Sequence, residues 1–419
     1  MFLSVLKKRN PALLRGAHVL LKEGAIPANT WLMDLDAVAQ NAAHLARAKE
    51  EAGLQTYVMS KQFGRNPLIN HLAMQKGLHA SVCVDIQCVR AMGRWQIPVG
   101  HVGHLNQIPR GDMPYVLGLR PEVWTLYSLE NARYLNDIAH SMGVRQDILI
   151  RVHRPGDVFF DGQEGGFPLE NLPRVMPALL KLQNLRVVGV TSFPCYVCGD
   201  GTQVIKEPTP NLATIVHTAE ILRRDYGLEI TQINAPGNNS AVVFPWLKAH
   251  GATHVEPGHA LSGTTANHLI MENLPEIPAY CYVTEVTHKH GGMAYAHGGG
   301  LYIDPVVSGG SYKAAVGGDE DSLLEQELEW KQITQIIDYH MLLEDGSRCE
   351  VGDTVVTCQR TQMHMTRSWV AVVRGLASGR PQLVGLFDNA GHMLDETTRE
   401  VLPLQEAYAR VIDVVRGCG

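Results

Sequence analysis

Three side chains that could do chemistry follow apolar, strand-like segments of this chain. Lys61 ends TYVMSK, Ser240 lies in NAPGNNSAVV, and Glu256 ends HVE. A lysine just beyond a buried strand is partly desolvated, which lowers its pKa and makes its amine a candidate for a Schiff base. A serine at a helix start lies beside free N–H groups that favour phosphate. The carboxylate of Glu256 could pair with a protonated ring nitrogen.

A glycine completes this set. Gly258 follows Glu256 in VEPGHALSG, and a residue without a Cβ lets the backbone approach a ligand closely. Pyridoxal phosphate needs an amine and a phosphate-binding loop at one site, and a carboxylate there could pair with its ring nitrogen. Taken singly, each residue also fits an ordinary structural role: a solvated lysine, a helix cap, a surface glutamate or a turn glycine.

The elements that must position these residues alternate between strand and helix. Eight apolar runs separated by helical patterns predict parallel βαβ units and a TIM-type (β/α)8 barrel of the α/β class over residues 29–270. A doubly wound sheet would show a similar alternation. In such barrels the site lies at the C-terminal ends of the strands, and phosphate binds the loops after strands seven and eight. The runs are 55–60, 79–85, 100–106, 122–128, 147–153, 185–193, 229–235 and 252–256.

The pattern changes after residue 270. MENLPEIPAY reads as a proline-bearing linker, and alternating segments with Gly and Asp-Gly turns follow it. We therefore expect a mostly β C-terminal domain over residues 271–419, ending in one helix, and an N-terminal extension over residues 1–28.

Composition excludes several classes of protein. The chain has 419 residues, 45% of them hydrophobic, and a net charge of −6, so it carries no basic surface for nucleic acid or an anionic membrane. It has no apolar run of ~18 residues, and two lysines interrupt the N-terminal segment where a secretory signal would be apolar. The eight cysteines are scattered, which favours reduced thiols and a cytoplasmic location.

Other candidates for chemistry are weaker. Cys195 and Cys198 have CxxC spacing, but the chain has no second pair, so ordinary thiols are favoured. His288, His290 and His297 lie in a glycine-rich segment that suggests a substrate lid more than a metal site, and we predict no bound metal. Arg367 could receive a substrate carboxylate or phosphate.

Several motifs, in order along residues 29–302, resemble the alanine racemase-like (fold-type III) pyridoxal phosphate enzymes. TWLMDLDAVAQNAAHL followed by TYVMSKQFG resembles the opening of that family. VVGVTSF, NNSA and VEPGHALSG resemble its sixth-strand, phosphate-binding and RPG segments. MAYAHGGGLYID resembles the segment that supplies a tyrosine across the dimer interface. Within the superfamily, the YhfX-type branch is the most similar.

The resemblance implies roles for these positions. Lys61 would hold pyridoxal 5'-phosphate as a Schiff base, while Ser240 and the backbone at Gly258 and His259 would bind its phosphate. Ser192 stands where many family members have a histidine stacked on the cofactor ring.

The resemblance also implies a reaction and an assembly. Tyr295 from the partner subunit of a homodimer would oppose Lys61 as the second acid/base group. A racemase or epimerase acting on an amino acid or related amine uses such a pair, one group on each face of the α-carbon.

Besides Ser192, the chain departs from alanine racemases at Glu256 and Arg65. Those enzymes place an arginine opposite the ring nitrogen, whereas Glu256 resembles the decarboxylases of the same fold. Arg65 replaces a tyrosine four residues after Lys61. A decarboxylase, an aldol-type lyase, a non-catalytic cofactor-binding protein and an unrelated TIM-barrel metalloenzyme therefore remain alternatives.

Overall fold

The structure is a computed structural model that describes residues 2–197, 209–271, 273–298, 312–331, 339–360 and 368–418. Its backbone contacts divide the chain into two compact units. The barrel unit contains residues 44–60 and 77–258, and the sheet unit contains residues 1–43, 61–76 and 259–419. Within the described ranges, no helix combines the length and the apolar character needed to cross a membrane.

The N-terminal part of the chain forms two helices, one strand and a long helix. Helices α1 and α2 place apolar side chains in the main hydrophobic core of the sheet unit. The described part of the predicted N-terminal extension, residues 2–28, thus contributes side chains to that core. The elements are α1 (Leu3–Arg9), α2 (Pro11–Lys22), β1 (Thr30–Asp34) and α3 (Leu35–Ala52).

The barrel unit is a closed ring of eight parallel strands, as the alternating pattern predicts. Most of these strands are buried on both faces, which is why they read as continuous apolar runs. The ring consists of β2 (Gln55–Met59), β3 (Ala80–Cys83), β4 (Val99–Val102), β5 (Val123–Leu126), β6 (Gln146–His153), β8 (Leu185–Thr191), β9 (Gln232–Asn234) and β10 (His254–Val255), and β7 (Phe167–Pro168) pairs with β6 outside it.

Helices follow the strands along the chain. In α5 and α7 the first turn is capped by Asp85 and Ser128, whose side chains accept hydrogen bonds from backbone N–H groups. The helices are α4 (Pro67–Gln75), which belongs to the sheet unit, and α5 (Ile86–Arg94), α6 (Met113–Gly118), α7 (Leu129–Ser141), α8 (Leu172–Leu179), α9 (Pro210–Tyr226) and α10 (Phe244–Ala249).

The interior of the barrel is packed with side chains. Tyr57 is fully buried, and its ring stacks on His254 with a centroid separation of 5.4 Å. Gly100 on β4 makes room for that ring, because a Cβ there would lie 2.3 Å from Tyr57 Cδ1. The barrel is therefore a solid core whose chemistry must lie at an end.

The sheet unit is built on a ten-stranded sheet in the order β12-β15-β14-β13-β16-β11-β1-β17-β18-β19. β1 lies just after residue 29, where the barrel domain was expected to begin, yet it pairs with β11 and β17. The mostly β character expected for the C-terminal region is confirmed. Its elements are α11 (Asn267–Ile270), β11 (Tyr280–His290), β12 (Met293–His297), β13 (Lys313–Gly317), α12 (Glu320–Glu325), β14 (Glu327–Lys331), β15 (His340–Leu343), β16 (Thr354–Thr357), β17 (Trp369–Arg374), β18 (Gln382–Phe387), β19 (Met393–Leu394) and α13 (Leu404–Arg416).

Candidate active site

A buried carboxylate lies at the C-terminal end of the barrel strands. Glu256 directly follows β10, and its side chain is 2% exposed. Its Oε1 accepts hydrogen bonds from His101 Nδ1 at 2.7 Å and from Asn234 Nδ2 at 2.8 Å. Its backbone N–H donates to Asn239 Oδ1 at 2.7 Å. These contacts fix both the carboxylate and the backbone that carries it.

The residues around this carboxylate come from separate strands. His101 lies on β4 and is fully buried, and Asn234 is the last residue of β9. His101 Nε2 lies 2.5 Å from Thr125 Oγ1 on the neighbouring β5. An ionised carboxylate only accepts hydrogen bonds, so Nδ1 of His101 carries the proton in the contact with Glu256. The imidazole is therefore held at both of its nitrogens.

A second histidine, His104, lies close to the Glu256 carboxylate. Nε2 of His104 lies 3.4 Å from Oε2 of Glu256. Burial alone would raise the pKa of Glu256. The positive charges of His104 and His101, with the hydrogen bonds from His101 and Asn234, outweigh burial and lower the pKa to about 2. The carboxylate is thus ionised near neutral pH.

Two acceptor atoms in this cluster lack a hydrogen-bond partner among the described residues. They are Oε2 of Glu256 and Oδ1 of Asn234, and both are buried. A buried acceptor without a donor costs free energy, so such atoms in a native site call for a ligand that donates. A protonated ring nitrogen supplies one N–H, and the residues present therefore fit the pyridine ring of pyridoxal phosphate.

The same cluster has the composition of a metal site. The possible ligand atoms of His101, His104 and Glu256 lie within 4.8 Å of one another. Within the described ranges, no other group of three or more His, Cys, Asp or Glu side chains comes together in this way. However, Nδ1 of His101 and Oε1 of Glu256 are 2.7 Å apart and share a proton. Two ligands of one metal ion must both turn their lone pairs toward it, so this pair is arranged for hydrogen bonding.

A buried arginine lies in the same unit. Arg151 on β6 is fully buried, its Nη1 donates to the hydroxyl of Tyr127, and its Nη2 donates to the Gln163 carbonyl at 2.5 Å. The Tyr127 hydroxyl in turn donates to the carbonyl of His104 at 2.5 Å. Burial raises the pKa of Tyr127 although Arg151 opposes that rise. This chain ties the end of β6 to the segment that carries His104.

Among the predicted cofactor residues, Ser192, Ser240 and Gly258 lie in the barrel unit with Glu256 and are buried. Ser192 follows β8, and its Oγ accepts a hydrogen bond from Asn211 Nδ2 at 3.0 Å. Ser240 stands at the N-terminus of the 3₁₀ turn that leads into α10, directly after Asn239, which holds the backbone of Glu256. Their roles toward a phosphate or a ring stay predictions.

The other predicted residues lie in the sheet unit. Lys61 is half-buried and begins the 3₁₀ turn that ends at Phe63, and the neighbouring Gln62 approaches His259, with 3.4 Å between Nε2 and Nδ1. Tyr295 on β12 is half-buried, and its ring stacks on His288 with a centroid separation of 4.4 Å. The catalytic roles of Lys61 and Tyr295 stay predictions.

The weaker candidates have mixed outcomes. Cys198 and Arg367 lie outside the described residues. Cys195 is a buried thiol that contacts the Ser192 carbonyl, and burial raises its pKa strongly. Within the described residues, His288 and His297 do not join a cluster that could hold a metal ion.

Sequence analysis missed His101, His104, Asn234 and Arg151. The two histidines could have been found from the sequence. They lie in GHVGHLN, one of the eight strand-like runs, near its C-terminal end, just as Lys61 follows the first run. Asn234 likewise ends the seventh strand, and Arg151 lies near the end of the fifth.

The fold and the site define a two-domain protein of the alanine racemase class. Residues 33–266 match the family model described as alanine racemase, N-terminal domain. Residues 281–383 match the YhfX-like C-terminal domain. The chain is 34% identical over 395 residues to the uncharacterized protein YhfX of Escherichia coli strain K12, which covers 94% of this chain and 100% of the relative. The chain therefore belongs to the YhfX family of alanine racemase-fold proteins.

Solved structures share the fold at low sequence identity. D-threonine aldolase from Filomicrobium marinum matches with a TM-score of 0.63 and 18% identity, over 87% of this chain and 95% of that one. D-threo-3-hydroxyaspartate dehydratase from Delftia sp. HT23 has a TM-score of 0.63 and 15% identity, over 87% and 97%. Alanine racemase of Clostridium difficile 630 has a TM-score of 0.60 and 15% identity, over 87% and 99%. A racemase, an aldolase and a dehydratase thus share this architecture.

Proposed function

We propose that this protein is a pyridoxal phosphate-dependent enzyme that acts at the α-carbon of an amino acid or related amine. The observation that carries the proposal is the buried carboxylate of Glu256. It lies at the active end of the barrel, its Oε1 is occupied by two donors, and its Oε2 lacks a hydrogen-bond partner among the described residues. A carboxylate so prepared is suited to a protonated ring nitrogen.

Chain connectivity supports Lys61 as the residue that binds the cofactor. The backbone N–H of Met59, the last residue of β2, donates to the carbonyl of Pro257, the residue after Glu256. Lys61 is two residues further on, and two residues span at most ~7 Å. Lys61 thus follows closely along the chain from a barrel strand end, which is the position expected for a cofactor lysine.

The proposed chemistry divides between the cofactor and the protein. Bound pyridoxal phosphate withdraws electrons from the α-carbon of an attached amine. Glu256 holds a proton on the ring nitrogen, and Ser240, Gly258 and His259 hold the phosphate. Lys61 and the Tyr295 of a partner subunit exchange a proton with the α-carbon from opposite faces, which makes the reaction a racemisation or epimerisation.

A second candidate reaction has a specific observation in its favour. A carboxylate at the ring nitrogen increases the electron-withdrawing power of the ring, which assists the loss of carbon dioxide or an aldol-type cleavage as well as proton loss. One structural relative is a D-threonine aldolase. A decarboxylase or aldol-type lyase is therefore the alternative.

Isotope exchange separates the two reactions. The purified protein, loaded with pyridoxal phosphate, is incubated in D2O with a panel of D- and L-amino acids and 3-hydroxy amino acids. A racemase exchanges the α-hydrogen and inverts the centre without loss of carbon. Release of carbon dioxide or an aldehyde would instead select the alternative. The absence of turnover on every substrate would favour the non-catalytic cofactor-binding protein.

The proposed homodimer makes a quantitative prediction. If each site takes Lys61 from one subunit and Tyr295 from the other, neither Lys61→Ala nor Tyr295→Phe subunits alone are active. Random mixing of the two gives half heterodimers, and one of the two sites in each heterodimer is intact. Co-expression should therefore restore about a quarter of the wild-type activity. No recovery would refute the shared site.

We place the enzyme in the cytoplasm, in keeping with the described cysteines, which are free thiols.

A further inference from the structure

We propose that His101 is a positioning residue of the cofactor site, which directs Oε2 of Glu256 at the ring nitrogen of pyridoxal phosphate and keeps that nitrogen protonated. The inference rests on the proposed function and adds a residue to it. It follows from the contacts of the two oxygens of one carboxylate.

The two oxygens of Glu256 have different surroundings. Oε1 accepts hydrogen bonds from His101 Nδ1 and Asn234 Nδ2, whereas Oε2 makes no hydrogen bond among the described residues and has only the longer contact from His104 Nε2, at 3.4 Å. A turn of the carboxylate away from this orientation would break two hydrogen bonds in a buried site. The donors therefore fix the direction in which the second oxygen points toward a ligand.

His101 can perform this role because its ring has a hydrogen-bond partner at each nitrogen. Its Nε2 lies 2.5 Å from Thr125 Oγ1, and its side chain is fully buried. The rings of His101 and Tyr57 also lie 5.9 Å apart, against the packed interior of the barrel. The contact of Nε2 with Thr125 on β5 and the position of His101 on β4 set the direction of the Nδ1–H bond, and thereby the orientation of the carboxylate.

The charge of the Glu256 carboxylate determines whether the proton lies on the ring nitrogen or on Glu256. A carboxylate that is already paired with His101 and Asn234 stays ionised, and an ionised carboxylate stabilises a protonated ring nitrogen. Without His101, Glu256 would keep the hydrogen bond from Asn234 on Oε1 and the longer contact from His104 on Oε2, but it would lose its charged hydrogen bond. Its carboxylate would then hold a proton more readily and compete with the ring nitrogen for it.

The test uses pyridoxal phosphate labelled with ¹⁵N at the ring nitrogen, bound to the full-length protein. His101→Leu removes the donor. His101→Asn keeps an N–H close to the position of Nδ1 but cannot carry charge. His79→Gln is the matched control, because His79 forms another imidazole–carboxylate pair in the barrel unit, with Glu122 at 2.8 Å. Thr125→Val removes the second anchor of the imidazole and leaves His101 in place.

The readouts are the ¹⁵N shift and the dissociation constant of the cofactor. His101→Leu should move the shift toward that of an unprotonated pyridine and weaken binding about tenfold, the loss expected for one charged hydrogen bond. His101→Asn should restore part of the affinity, and Thr125→Val should give a smaller change in the same direction. His79→Gln should match the wild type in both readouts.

Three results would overturn the inference, and they are distinguishable. A wild-type ¹⁵N shift in both His101→Leu and His101→Asn would show that His101 does not control the ring nitrogen. If His101→Leu does not fold, an unchanged shift in His101→Asn and Thr125→Val refutes the inference. If the wild-type protein binds no pyridoxal phosphate, the proposed function itself fails, and the role of His101 fails with it.

Discussion

The substitution Glu256→Gln tests the buried charge at the end of the barrel. Glutamine has nearly the same shape, and its side-chain oxygen can still accept from His101 and Asn234. What is lost is the negative charge and, with it, the pairing with two imidazoles. The carboxylate has a pKa of about 2 in the folded protein, against an ordinary value of 4.5. That difference corresponds to about 3 kcal/mol of folding free energy near neutral pH.

The pH dependence has a definite sign. A lowered pKa in the folded state stabilises the protein above pH 4.5, and this stabilisation disappears as the pH falls through 2. The wild type should therefore exceed Glu256→Gln by about 3 kcal/mol at pH 7, and the difference should shrink by about 2 kcal/mol by pH 3. The glutamine variant lacks the titrating group, so it serves as the reference at every pH.

Urea denaturation of both proteins across this pH range measures the difference. Glu256→Leu, compared at pH 7, should be less stable than Glu256→Gln, because leucine leaves the buried donors of His101 and Asn234 without an acceptor. A wild-type advantage that stays constant between pH 7 and pH 3 would refute the lowered pKa. Equal stability of all three proteins would refute the buried pair.

Three further substitutions have definite expectations. Asn239→Ala removes the acceptor of a buried backbone N–H and should lower the free energy of unfolding by about 1–3 kcal/mol. Asn239→Asp keeps that acceptor but turns a carboxylate oxygen toward the Ala235 and Gly237 carbonyls, so it should destabilise the protein as well; an unchanged free energy of unfolding in both variants would contradict these contacts. Gly100→Ala puts a Cβ against Tyr57 and should cost about 1–3 kcal/mol, while Gly118→Ala, which has nothing within 4 Å, should be near neutral; equal effects would contradict the packing argument. Tyr295→Phe should leave the free energy of unfolding within about 0.5 kcal/mol of wild type, because the side chain is half-exposed, and should abolish inversion at the α-carbon; retained inversion would exclude it as an acid/base group.

The barrel could be predicted from the sequence because its strands are short and apolar and are separated by helices. All eight strand-like runs correspond to strands of the ring, including β10, which has only two residues. The pairing of β1 could not be predicted. It lies between β11 and β17, distant parts of the chain, and no local pattern records which strand a segment pairs with.

The candidate site was predictable only in part, for a similar reason. Glu256 stood out because it ends a strand, but its partner His101 is 155 residues away. That pairing depends on the order and register of strands around a closed ring. The positions of His101 and Asn234 at the strand ends were visible in the sequence. The sequence does not show that both side chains donate to the same oxygen, Oε1 of Glu256.

The most direct test of the account is whether Lys61 carries the cofactor. The purified protein, incubated with pyridoxal phosphate, is examined by visible absorption before and after borohydride, and its peptides are then mapped by mass. The account predicts a visible band that disappears on reduction and a pyridoxyl group fixed on Lys61. No band, or a label spread over surface lysines and retained in Lys61→Ala, would contradict it.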